Sequence, residues 1–165
     1  MKSKAGLIIR WALLGVMCVG VFIFSAMPAD DSSEQSGFIV DTLIKLFFNE
    51  FDKKSLPEQS ALISLLTVLV RKGAHFSEYA LMGVLAFGAF IKIEKYVPRY
   101  FAALIFCVAY AATDEFHQLF VPGRAGMIRD VVVDSCGAAS GVLLACFISL
   151  MIAASALLRQ KNVHR

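Results

Sequence analysis

The sequence predicts an all-α integral membrane protein, a bundle of four transmembrane helices with an amphipathic interfacial helix in the first outer loop. Three observations predict it. Of the 165 residues, 58% are hydrophobic and 18% charged, whereas soluble domains are about half apolar and a quarter charged. Four stretches, about 7–27, 74–93, 98–121 and 131–158, each reach the roughly 20 mainly apolar residues that a helix needs to cross a bilayer. Basic residues gather at one end of that arrangement. The length suits one domain, 1–165, and a net charge of +3 is too small to point to nucleic acid.

The first helix follows Lys2 and Lys4 and carries Arg10 near its start. It resembles a signal peptide, but SAMPAD lacks a small-x-small cleavage site, so it reads as an uncleaved anchor. Trp11 suits a belt position near the inner end. With the N-terminus inside, nine of the sixteen Lys and Arg (Lys2, Lys4, Arg10, Lys92, Lys95, Arg99, Arg159, Lys161, Arg165) fall in short inner segments. The positive-inside rule then predicts both termini in the cytoplasm of a multi-pass plasma-membrane protein. His164, in the tail KNVHR, reads as solvated.

The outer loop 28–70 opens with ADDSSEQSG, a polar, turn-like run whose Ser and Asp suit a helix cap. From 38 to 51, Asp41, Lys45 and Asn49 share one side while Leu43, Ile44, Phe47, Phe48 and Phe51 lie elsewhere, which predicts an amphipathic helix on the outer surface. The ten-residue apolar run 61–70 is too short to span. It either leads into the second helix or lies at the interface. Cys18, Cys107, Cys136 and Cys146 sit in apolar stretches without CxxC or His spacing and read as reduced space-fillers.

Polar residues interrupt these helices at one depth. The second enters as RKGAHFSEYALMG, with His75, Glu78 and Tyr79 on one face. The third exits as ATDEFHQLF (112–120), where the same spacing places Asp114, His117 and Gln118 together, and the fourth enters as RDVVVDSCGAASG with Asp130 and Asp134 on one stripe. Charge facing lipid costs several kcal/mol, so these groups face one another or a watery pocket open to the outside. Gly137 and Gly141 form a GxxxG that permits close helix contact. Between the last two helices, VPGRAGMIRD holds Arg124 and Arg129 at the pocket mouth, with Pro122-Gly123 as a turn and Gly126 as a second flexible point.

On FSAMPADDSSEQS, RKGAHFSEYALMG and TDEFHQLFVPGRAGMIRDVVVDSCGAASG, spanning 24–141, the chain resembles the VanZ-like (teicoplanin-resistance) membrane protein family. The resemblance implies a small multi-helix protein of the bacterial envelope, linked to tolerance of glycopeptide antibiotics, and supplies no reaction. Its motif residues fall on Lys72, His75, Glu78, Tyr79, Asp114, Glu115, His117, Gln118, Arg124, Asp130, Asp134 and Gly137.

Several readings of the cluster compete. His75/Glu78 and Asp114/His117 approach the Glu-x-x-His spacing of di-metal bundles, but the order and ligand types fit only in part, so no metal or other cofactor is assigned. A buried ion-pair network, with Arg71, Lys72, Arg124 and Arg129 answering the carboxylates, would fix helix register alone, leaving a non-catalytic structural or partner-binding protein. Proton transport fits poorly, because 81–91 and 142–154 are almost purely apolar. The favoured reading is a pocket for an anionic membrane lipid, a lipid-linked cell-wall precursor being the natural candidate. In it Lys72, Tyr79, Gln118, Arg124, Arg129, Asp130 and Asp134 bind, and His75, Glu78, Asp114, Glu115 and His117 are the candidate acid–base groups. Ser77 points away from the shared face and Ser135 lacks a base. The sequence leaves open whether the pocket is catalytic and whether the protein forms oligomers.

Overall fold

Ser3 accepts the Gly6 amide at 3.0 Å and so caps the first helix, α1 (Lys4–Ser25). The computed structural model that reveals this describes residues 3–163, without the side chains of 29–33, 35 and 161–163. Lys2, His164 and Arg165, assigned above to the inner ends, lie outside the described residues, as does the Lys161 side chain. Four further α-helices follow, and the described residues contain no strand.

α2 (Ala29–Phe47) starts directly after Pro28, so the run ADDSSEQSG is helical and not the expected turn. The helix ends before the anticipated limit at 51, where a short 3₁₀ turn, Phe51–Lys53, takes over. Ser36, Val40 and Ile44 are buried at a spacing of four, and α2 packs against α3. Ile39, Leu46 and Phe47, beside that stripe, remain exposed.

α3 (Leu56–Ala89) starts much earlier than the expected 74. The Glu58 carboxylate accepts the Ser55 amide at 2.9 Å and its hydroxyl at 2.7 Å, an N-terminal box that launches the helix. The run 61–70 therefore forms leading turns of this helix. At 1.5 Å per residue its 34 residues span about 51 Å, well beyond a hydrocarbon core of about 30 Å. At its far end Arg10 donates to the Gly88 carbonyl (3.3 Å) and Arg99 to that of Phe87 (2.6 Å). Arg99 also lies over the Phe87 ring, 3.9 Å from its centre. Two arginines thus answer the carbonyls that a helix end leaves open, and Trp11 meets Phe90 edge-on beside them.

A second 3₁₀ turn, Phe90–Lys92, leads into α4 (Tyr96–Gln118), and a loop then leads into α5 (Ile128–Val163). α3 and α5 run parallel and make the most extensive contact of the bundle. A Cβ on Gly137 would strike the Phe76 carbonyl, and one on Gly141 the Ala80 carbonyl; from the other side, one on Gly83 would strike Ala138. Only glycine lets these backbones touch. α1 and α4 complete the shell, locked by Tyr110, whose hydroxyl donates to the Cys18 carbonyl at 2.6 Å. The core is Leu14, Val21, Tyr79, Met82, Ala86, Phe87, Cys107 and Val142 with small alanines between. α1, α3, α4 and α5 are each long and apolar enough to cross a membrane.

Candidate functional site

Because α3 and α5 run parallel at glycine distance, polar residues one turn apart on each meet in pairs. The Lys72 ammonium is ion-paired with Asp130. One turn deeper, His75 Nδ1 lies 3.6 Å from an Asp134 oxygen, close enough for attraction but too far for a hydrogen bond. Asp134 is fully buried, and neither oxygen has a hydrogen-bond partner among the described residues. Tyr79, placed above among the binding residues, is also fully buried in the core, its hydroxyl without a hydrogen bond among the described residues.

α4 brings its polar last turn from the opposite side, with Asp114, Glu115 and Gln118 all buried. Gln118 donates to the Ser25 hydroxyl of α1 at 3.1 Å. One Glu115 oxygen accepts the Met127 amide at 2.8 Å, which pins the loop entering α5. Neither Asp114 oxygen makes a hydrogen bond among the described residues, although the Ser25 hydroxyl lies in the same cavity wall. His117 departs from the expected shared face. Its ring lies against Phe22 of α1, centroids 4.6 Å apart, in the α1–α4 seam. The spacing Asp114–His117 leaves about 60° between the two directions, enough for one to face the centre and the other a neighbouring helix.

The loop between α4 and α5 turns at Gly123, whose φ of 74° suits glycine. Gly126 is a point of close packing and not a hinge, since a Cβ there would strike the Glu115 carbonyl. Arg124 donates from Nε to the Met27 carbonyl (2.9 Å) and from Nη2 to that of Phe24 (3.3 Å), fastening the end of α1. Burial, then the neighbouring Arg71, lowers the pKa of its guanidinium, while Asp114, Glu115 and Glu78 oppose that shift.

Two cavities meet here. The larger, about 360 Å³, is rimmed by Arg71, Lys72, Arg124 and Arg129, with Asp134 in its floor. The smaller, about 130 Å³, has Ser25, Glu78 and Asp114 in its wall among apolar residues of α1 and α2. Arg71, His75 and Arg124 line both and form the partition. His117, Glu115 and Tyr79 line neither. Sequence reasoning treated Arg71 only as a counter-charge and gave Ser25 no role; Arg71 was detectable as the residue one helical turn before His75. No three His, Cys, Asp or Glu residues among those described are placed to share a metal ion.

A family model described as VanZ/LLP1 matches residues 10–150. The chain belongs to the VanZ/LLP1 family. The match takes in every residue of the two cavities, and with four apolar helices this VanZ/LLP1 chain is a multi-pass membrane protein. No curated protein and no solved structure matches it.

Proposed function

We propose that the protein holds the phosphate-bearing head group of an envelope lipid in the larger cavity, with the lipid tail along the helices. The single observation that carries this is the ring of Arg71, Lys72, Arg124 and Arg129 around a cavity of about 360 Å³. Arginine forks and lysine ammonium groups are the donors that phosphate oxygens take best. His75, facing Asp134, is the natural proton carrier at the cavity floor. The clustering of basic residues at the opposite end of the bundle supports an orientation with that end in the cytoplasm and the pocket open to the outside. In a bacterial plasma membrane, a lipid-linked cell-wall component in this pocket would connect the protein to glycopeptide tolerance.

The competing reading is a structural ion network, favoured by the Lys72–Asp130 pair and by Arg124 fastening α1. Phosphatidylglycerol titrated into the full chain in detergent separates the two. Lys72→Gln and Arg129→Gln are each expected to weaken binding about tenfold, the effect of losing one charged hydrogen bond. Equal binding by wild type and both variants would favour the network. Turnover of the head group, if present, should vanish in His75→Gln.

A further inference from the structure

We infer that the ligand carries a protonated primary amine as well as a phosphate, its ammonium seated on Asp114 and Glu78 while the phosphate meets the arginine rim. This rests on the phosphate reading above and adds the second charge. Asp114 carries the argument. It is 4% exposed, lines the smaller cavity, and has no hydrogen-bond partner for either oxygen.

A buried carboxylate in that state is strongly disfavoured unless a proton or a cation reaches it. Several cations and donors nearby are engaged elsewhere, and Arg71 and the Ser25 hydroxyl, which line the same cavity, make no hydrogen bond to Asp114. Lys72 is paired with Asp130, Arg124 serves the carbonyls of Phe24 and Met27, His75 faces Asp134, and the Met127 amide answers Glu115. Glu78 lines the same wall and adds a second negative charge to the smaller cavity.

Size and polarity agree with an amine. A space of about 130 Å³ equals roughly four water molecules, enough for an aminoethyl arm and small for a substituted phosphate. It joins the basic-rimmed cavity at Arg71, His75 and Arg124, so Glu78 and Asp114 lie on one side of that partition and Lys72 and Arg129 on the other. A phosphate with an ammonium two carbons away has the matching polarity. Two unpartnered carboxylate oxygens call for N–H donors, which a primary ammonium offers and a quaternary one does not.

The test is equilibrium binding by native mass spectrometry of the full chain in detergent. Dioleoyl phosphatidylethanolamine, phosphatidylglycerol and phosphatidylcholine are compared, with dioleoylglycerol as the lipid lacking phosphate. Phosphatidylethanolamine is expected to bind at least about tenfold tighter than the other two phospholipids. Asp114→Asn and, on the half-buried wall, Glu78→Gln should each erase that preference. If phosphatidylglycerol binds as tightly as phosphatidylethanolamine, or both variants keep the preference, the amine assignment is overturned and the phosphate reading stands. If no phospholipid binds better than dioleoylglycerol, the phosphate reading fails and the amine with it. Water-soluble glycerophosphoethanolamine should compete only weakly; competition at equal strength would overturn a lipid as the source of the head group.

Discussion

Two histidines that look alike in the sequence differ in what surrounds them. His75 forms the partition between the cavities and faces Asp134, whereas His117 stacks on Phe22 and lines neither cavity. His117→Gln should therefore lower stability by about 0.5–1.5 kcal/mol, the range of an aromatic pair, and leave phospholipid affinity unchanged. Thermal unfolding and lipid titration of the same sample check both halves. Arg124 has two tasks, since it rims the cavities and also fastens α1. Arg124→Gln is expected to cost about 1.5–3 kcal/mol, as hydrogen bonds to charged groups do. Lysine should not rescue it, because one ammonium cannot reproduce the planar fork that reaches both carbonyls. Thermal unfolding of the Gln and Lys variants decides this.

At the scale of elements, the spans were legible in the sequence from apolar length, and the site from polar residues intruding at one depth. The extent of α3 was only partly so, because Arg71 and Lys72 interrupt the apolar run and left open whether 61–70 leads into the helix or lies at the interface. Those charges are tolerated mid-helix because they line a cavity, and the Ser55/Glu58 box was the overlooked sign of the true start. The direction of His117 was hidden for a different reason: spacing fixes an angle around one helix, but the positions of the other helices decide which angle faces the centre. The GxxxG of α5 was a weak sign that gains meaning from its partner backbone. Gly141→Ala should cost about 1–3 kcal/mol by overpacking, because the added methyl meets the Ala80 carbonyl. Melting the variant beside Ser140→Ala, an exposed neighbour on the same helix, isolates that contact.

For the whole molecule, the polar end holds all the candidate site residues, while the opposite end holds Arg10, Lys92, Lys95 and Arg99 around the close of α3. An orientation with this basic end inside makes a simple topological prediction. In a cysteine-free background, Lys53→Cys should react with a membrane-impermeant maleimide in intact cells, and Lys95→Cys only after lysis. The reverse pattern would turn the pocket inward. The account as a whole rests on polar groups kept for a ligand at the expense of internal pairing. Its most direct test is the melting temperature of wild type and Asp114→Asn in lipid-free detergent. Asp114 makes no hydrogen bond among the described residues, so unchanged or raised stability is predicted, as is common where a site is kept for function. A loss of about 3–5 kcal/mol, the usual result of breaking a buried ion pair, would contradict it and make the cluster a structural network.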